Sequence, residues 1–196
     1  MKFTWANIVT LLRLFLAPVF LVVVLTGEGT NVAAALAVFA LAALTDWLDG
    51  YLARRYGEVT SHGAFLDPLA DKVLTTSAFV ALYMYDVVPL WMLVILIARD
   101  FSTTALRSIV GDRGSVVNTS MMAKVKTFLQ MVFIIVALLL LSMTRLMNGT
   151  SAGVQAQIVL ESWFMDVIML VITAMALWTL FKYLQTHSEL FRRGRS

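Results

Sequence analysis

A series of long apolar stretches, separated by short polar segments, limits this chain to very few folds. Six stretches of about 18–25 residues match the length of a helix that crosses a bilayer core about 30 Å thick. Of the 196 residues, 60% are hydrophobic and the mean hydropathy is +0.86, whereas about half of an ordinary soluble domain is apolar. We therefore predict an all-α, polytopic membrane protein with six transmembrane helices, an amphipathic N-terminal segment and a single domain over residues 1–196. The first predicted helix ends before Gly27, the third ends near residue 85, and the others cover residues 32–56, 90–110, 116–143 and 163–184, with residues 145–157 as a polar connection.

The positions of the charges predict an orientation for these helices. With the N-terminus in the cytoplasm, an even number of spans places the loop after Arg54 and the basic C-terminal tail on the cytoplasmic side, as the positive-inside rule requires. Only Arg145 lies clearly on the other side, where Glu28, Asp86 and Glu161 also fall. The chain has no cysteine, which excludes disulfides, thiolate nucleophiles and zinc–thiolate sites.

Polar residues are densest in the segment at residues 45–71, which lies between two apolar stretches. Asp46 and Asp49 are three residues apart, and Asp67 and Asp71 are four apart, so each pair shares one face of a helix. Four carboxylates that converge in a membrane repel one another unless a cation lies among them. The segment therefore predicts a divalent metal site.

The same segment has the form DxxDGxxAR, eight residues, then GxxxDxxxD, which resembles the signature of the CDP-alcohol phosphotransferase family. All eight defining positions are filled, by Asp46, Asp49, Gly50, Ala53, Arg54, Gly63, Asp67 and Asp71. Eight fixed residues over 26 positions are a far more specific pattern than a lone glycine loop. Within the family the chain is most similar to the bacterial phosphatidylglycerophosphate synthases, through NIVTLLRLFLAP, GAFLDPLADKV, IARDFSTTALR and AKVKTFLQM. The resemblance covers roughly the whole chain but thins after Met131.

This resemblance implies an enzyme of phospholipid biosynthesis. It would transfer the phosphatidyl group of CDP-diacylglycerol to sn-glycerol 3-phosphate, which gives phosphatidylglycerophosphate and CMP. The expected cofactor is Mg²⁺ or Mn²⁺, with two ions per site. The expected partners are the two substrates, membrane lipids and a second copy of the chain, but no nucleic acid. The expected location is the bacterial inner membrane, with the active site facing the cytoplasm.

The resemblance also assigns roles to residues. Asp46, Asp49, Asp67 and Asp71 would hold the metal ions, and Asp71 would also be the catalytic base. The CDP-lipid would be bound by Asn7, Thr10, Gly50, Arg54 and Thr60.

Two local questions stay open in the sequence. Asn7, Thr10 and Arg13 are spaced by three, and this polar face could equally meet lipid headgroups. Pro68 allows a helix that starts at Pro68 with Asp67 as its cap, or one that starts near Gly63 and bends.

Cations on the later apolar helices predict the acceptor site. Arg99, Arg107, Lys124 and Lys126, with Thr127, would bind the phosphate of the acceptor, because unpaired cations are costly in a membrane and clamp phosphate well. The KxKT pattern of Lys124, Lys126 and Thr127 also resembles that of the synthases. The alternative is structural, with Arg99 paired to Asp100 and Lys124 reaching the headgroups.

Other functions remain alternatives. An acceptor such as inositol phosphate, serine or phosphatidylglycerol would keep the family and change the product. A transporter would need a polar path on both sides of the membrane, and a prenyl-diphosphate enzyme would be expected to carry two DDxxD-like sites. A transporter and a prenyl-diphosphate enzyme therefore fit the observed arrangement of charged residues less well than a CDP-alcohol phosphotransferase does.

Overall fold

The structure is a computed structural model that describes the backbone of residues 5–56, 63–111 and 121–192, and the side chains of residues 11–45, 70, 72–105 and 121–185. These described residues form seven helices and no strand, so the predicted all-α class is confirmed. The helices are α1 (Trp5–Leu25), α2 (Gly29–Tyr56), α3 (Gly63–Met84), α4 (Leu90–Gly111), α5 (Met121–Leu146), α6 (Ser151–Leu160) and α7 (Trp163–Arg192).

The six predicted helices correspond to α1–α5 and α7. The connection predicted before the last span contains a further short helix, α6, which the sequence analysis did not predict. Thr150 caps it, since its hydroxyl oxygen accepts a hydrogen bond from the backbone N–H of Gly153. The open question at Pro68 is also answered, because α3 begins at Gly63 and continues through Pro68. Asp67 therefore lies within the helix and does not cap it.

The chain divides into two compact units. Unit 1 comprises Met1–Val88 and Ile134–Ser162, and unit 2 comprises Pro89–Phe133 and Trp163–Ser196. In unit 1, α1 packs against both α2 and α3.

Each of the first three helices contributes one buried face to the core of unit 1. On α1 the buried residues follow the three-to-four spacing of a single helix face: Arg13, Ala17, Phe20 and Val24. On α2 they are Val32, Ala35, Phe39 and Ala42. The rings of Phe20 and Phe39 lie 5.8 Å apart between centroids, and the small alanines allow the helix backbones to approach closely. The Tyr85 hydroxyl donates a hydrogen bond of 2.6 Å to the Val24 carbonyl, which ties the end of α3 to the end of α1.

Unit 1 also contains a polar cavity of about 490 Å³ at this end of α1 and α3. Asp86, Arg145 and Glu161 line it, with the Arg145 guanidinium carbon 5.2 Å from the centre of the Tyr85 ring. We call the aspartate-rich segment at residues 45–71 the motif. The sequence analysis placed Asp86, Arg145 and Glu161 on the side of the membrane opposite the motif, and the structure brings these three charges together.

The outer surfaces of the helices are apolar. Among the residues that the structure describes, two stretches are long and apolar enough to cross a membrane, Met121–Leu146 and Ser151–Gln185, and shorter apolar helices cover Leu11–Leu25, Gly29–Thr45 and Lys72–Met84. Large apolar side chains such as Phe15, Phe128 and Trp163 are exposed on them. Exposed apolar surface on this scale is typical of contact with lipid, so the chain is an all-α membrane protein.

Candidate active site

The motif lies on two helices of unit 1. Asp46 and Asp49 are on α2, three residues apart in an uninterrupted helix, and Asp67 and Asp71 are four apart on α3. Both helices pack against α1. The side chains of these four aspartates lie outside the described residues, so their roles as metal ligands, and that of Asp71 as base, stay predictions.

The roles of the positions predicted to bind the CDP-lipid also stay predictions. Asn7 and Thr10 are on α1 and Gly50 and Arg54 are on α2, but only their helical backbone is described. Thr60 falls outside the described residues altogether.

The chemistry of the motif fits a hard divalent cation. Carboxylate oxygens are the ligands that Mg²⁺ and Mn²⁺ prefer, and the motif offers four on two helices that share α1 as a neighbour. Within the part of the chain whose side chains are described, which does not include the motif aspartates, no group of three acidic, histidine or cysteine residues could hold a metal ion.

A buried charged cluster occupies unit 2, and the structure describes it atom by atom. One oxygen, Asp100 Oδ1, accepts hydrogen bonds from Arg99 Nη1 at 2.7 Å and from Lys126 Nζ at 2.9 Å. Arg99 Nη2 donates a third bond, of 2.7 Å, to the Thr179 hydroxyl. The cluster, which we name the Asp100 cluster, therefore joins α4 to α5 and α7.

The Asp100 cluster is buried. Lys126 is 1% exposed and Arg99 is 8% exposed, and both donate to the same carboxylate oxygen. Among the described residues, Arg99 Nε and the buried Gln130 Oε1 have no hydrogen-bond partner. Buried groups of this kind are costly unless something completes their hydrogen bonds. Arg99 Nε–H is a donor and can therefore donate to a further anion, whereas Gln130 Oε1 is an acceptor and would need a donor.

The structure separates the residues predicted to bind the acceptor phosphate. It brings Arg99 and Lys126 together through Asp100. Lys124 is exposed, and so is Thr127, whose hydroxyl donates to the Ala123 carbonyl of its own helix. Arg107 is on α4, but its side chain is not among those described.

Sequence reasoning identified Asp100 only as a structural partner of Arg99 and missed two other buried polar residues of unit 2. Gln130 follows Lys126 by four residues, so helical spacing could have indicated it. Thr179 is 80 residues from Arg99, and no local pattern links the two.

Comparison with known proteins decides the family. A sequence profile of the CDP-alcohol phosphatidyltransferase family matches residues 3–186. This chain belongs to that family.

Individual bacterial members of the family are similar to it over most of its length. It is 38% identical to the CDP-diacylglycerol–glycerol-3-phosphate 3-phosphatidyltransferase of Bacillus subtilis over 149 residues, which are 70% of this chain and 77% of that protein. It is 40% identical to the Escherichia coli protein of the same name over 67% of this chain and 75% of that protein. It is 48% identical to a probable phosphatidylglycerophosphate synthase of Mycobacterium tuberculosis over 66% of this chain and 63% of that protein.

Proposed function

We propose that this protein transfers the phosphatidyl group of CDP-diacylglycerol to sn-glycerol 3-phosphate, with release of CMP. Membership of the family supports CDP-diacylglycerol as the donor. The observation that supports a phosphorylated acceptor is the Asp100 cluster, in which two buried cations share one carboxylate. The names of the relatives point to the same acceptor.

The donor would be held in unit 1. Asp46, Asp49, Asp67 and Asp71 would hold one or two divalent ions, and bound ions would help to bind the donor diphosphate. Gly50, next to Asp49, leaves room at the α2 backbone for a bulky group. Asn7, Thr10, Arg54 and Thr60 would contact the nucleotide and headgroup, and the acyl chains would remain in the lipid.

The acceptor phosphate would be bound by cations of unit 2. A phosphate oxygen that accepts from Arg99 Nε would complete the hydrogen bonds of that guanidinium. Arg107, Lys124 and Thr127 complete the proposed set. An acceptor without phosphate would lack this charge-assisted hydrogen bond to Arg99.

The reaction itself needs positioning and one proton acceptor. The acceptor hydroxyl oxygen forms a bond to the lipid-linked phosphorus, the bond from that phosphorus to the bridging oxygen breaks, and CMP leaves with the electron pair. We assign Asp71 the proton of the hydroxyl. Transfers of this type depend mainly on alignment and charge stabilisation.

A panel of acceptors tests the proposal. Purified enzyme with CDP-diacylglycerol and Mg²⁺ should release CMP with glycerol 3-phosphate and far more slowly with inositol phosphate, serine or phosphatidylglycerol. A preference for one of those three would overturn the acceptor and leave the family reaction intact. Release of pyrophosphate would favour a prenyl-type enzyme, and ion uptake into liposomes would favour a transporter.

Metal dependence is part of the proposal and has its own test. Asp46→Asn, Asp49→Asn and Asp67→Asn should each retain the fold and lose most activity, because each removes a charged ligand from a crowded site. A chelator should abolish wild-type activity, and added Mg²⁺ or Mn²⁺ should restore it. Chelator-resistant turnover, or three active variants, would contradict a metal site.

We further propose that the protein crosses the bacterial inner membrane six times, with the motif at the cytoplasmic face, and forms a homodimer. The charge distribution supports the orientation. The dimer rests on family resemblance alone, and light scattering of the detergent-solubilised protein would measure its mass.

A further inference from the structure

Arg13 is a charged residue of α1 to which the proposed reaction gives no role. Its spacing from Asn7 and Thr10 allowed a polar face that meets lipid headgroups. The structure instead buries Arg13, which is 3% exposed, on the same helix face as Ala17 and Phe20. That face packs into the core of unit 1, so Arg13 points towards the neighbouring helices and not towards the headgroups.

The contact between Phe20 and Phe39 fixes the register of α1 against α2. The two helices are antiparallel neighbours because only residues 26–28 separate them. Arg13 lies seven residues before Phe20, and Asp46 lies seven residues after Phe39. Both steps correspond to about 10.5 Å along a helix axis. The backbone positions of Arg13 and Asp46 therefore lie at about the same height along the axes of α1 and α2.

The register of α1 against α3 leads to the other half of the motif. The hydroxyl of Tyr85, one residue after α3, donates a hydrogen bond to the carbonyl of Val24, which brings the ends of α1 and α3 together. Eleven residues earlier in each helix are Arg13 and position 74. Asp71 is three residues beyond position 74, about 4.5 Å along the axis, which is within reach of an extended arginine side chain.

The carboxylates of unit 1 whose side chains the structure describes are at the opposite end of α1. Glu28 lies three residues beyond that end, and Asp86 and Glu161 line the polar cavity there. All three are exposed. From Arg13 to the last residue of α1 is about 18 Å. The acidic positions that the described helices place at the level of Arg13 are those of the motif, and a buried cation requires a counter-charge nearby.

We propose that Arg13 is a further residue of the donor site, where its guanidinium offsets the charge of the motif carboxylates and of the donor diphosphate. This inference rests on the proposed function. Two divalent ions would neutralise four carboxylates, so the charge of the diphosphate is left for protein cations to offset. A guanidinium suits this task, because it stays protonated and can bind two oxygens at once.

Arg13→Gln and Arg13→Lys test the inference, with Arg145→Gln as the matched control. Arg145 belongs to the same unit but lies at the opposite end of α1, by the polar cavity. Binding of CDP to the full-length protein in detergent with Mg²⁺ is measured without catalysis, beside the KM values of both substrates and the melting temperature. Arg13→Gln should weaken CDP binding and raise the KM for CDP-diacylglycerol about ten- to hundredfold. Arg13→Lys should recover part of this loss, and Arg145→Gln should bind CDP as the wild type does.

The KM for glycerol 3-phosphate separates this role from a structural one. It should change by less than about threefold in Arg13→Gln, because the proposed acceptor cations belong to unit 2. Unchanged CDP binding in Arg13→Gln would overturn the inference, whatever the melting temperature. An equal rise in both KM values with a lower melting temperature would overturn it too, as would an Arg13→Lys variant no better than Arg13→Gln. A wild type that binds CDP but rejects glycerol 3-phosphate would contradict the proposed acceptor and leave the role of Arg13 standing.

Discussion

At the scale of single residues, Asp100 is the anion that two buried cations share. Its Oδ1 atom accepts from Arg99 and from Lys126, which come from two different helices. Asp100→Asn would keep the shape and remove the charge. Because the loss of one partner leaves buried charge uncompensated, we expect the free energy of unfolding to fall by about 3–5 kcal/mol. Thermal unfolding in detergent would measure the loss.

The ligand response of this variant tests whether the Asp100 cluster binds anions. Glycerol 3-phosphate should raise the melting temperature of Asp100→Asn more than that of the wild type, because the phosphate replaces the lost carboxylate. The control is Asp166→Asn, an exposed aspartate in the first turn of α7, which should cost less than about 1 kcal/mol and show the wild-type response. Equal shifts in all three proteins would mean that the cluster only holds helices together.

Asp71 offers a second prediction at this scale, since the proposal makes it both ligand and base. Asp71→Asn should abolish CMP release, because an amide cannot take the acceptor proton. If the role as base dominates, CDP binding should persist within about tenfold of wild type, whereas Asp46→Asn should lose binding and turnover together. Equal loss of binding in both variants would make Asp71 chiefly a metal ligand.

Residue-scale prediction from the sequence succeeded where local spacing carries the information. Arg99 and Lys126 stood out because cations on apolar helices need compensation. Their shared partner was predictable for Arg99, which adjoins Asp100, but not for Lys126, which is 26 residues away. The burial of Arg13 was not predictable either, because its spacing from Asn7 and Thr10 fits an interfacial face as well as a buried one.

At the scale of helices, the start of α2 depends on a close approach. A Cβ atom added at Gly29 would lie 2.7 Å from the carbonyl carbon of Arg145, a backbone atom that cannot rotate away. We expect Gly29→Ala to lower the free energy of unfolding by about 1–3 kcal/mol through overpacking. Thr30→Ala, at the exposed next position, should be nearly neutral. A Gly29→Ala protein that melts like the wild type would show that the two helix ends can separate at little cost.

Helix prediction from the sequence was accurate for long apolar stretches and weak for short polar ones. From the length of the apolar stretches we predicted α1–α5 and α7, and most of the helix ends that the structure describes lie within a few residues of the predicted ones. The sixth predicted span was the exception, because α7 continues to Arg192. In contrast, α6 has ten residues and contains two glutamines, so it lacks the apolar length on which the prediction relied. Its cap at Thr150 is a local signal that the sequence did contain.

At the scale of the whole molecule, apolar surface and charge distribution argue together for membrane insertion. Phe15 and Phe128 are each 67% exposed, and Trp163 is 74% exposed, which would promote aggregation in water. Composition alone predicted this environment. The division into two units was not predictable, because unit 1 draws on two separated parts of the chain, and no composition change marks the boundaries.

The orientation in the membrane leads to the last prediction, which the chain is well suited to test because it contains no cysteine. Single cysteines at Glu28→Cys and Ser151→Cys report on the side that carries the polar cavity, and Ser196→Cys reports on the basic tail. The positive-inside rule places the tail in the cytoplasm and the cavity outside. A membrane-impermeant maleimide should therefore label the first two variants in intact cells and Ser196→Cys only after permeabilisation, with the cysteine-free parent unlabelled throughout. Labelling of Ser196→Cys in intact cells would reverse the orientation and place the motif on the side away from cytoplasmic glycerol 3-phosphate.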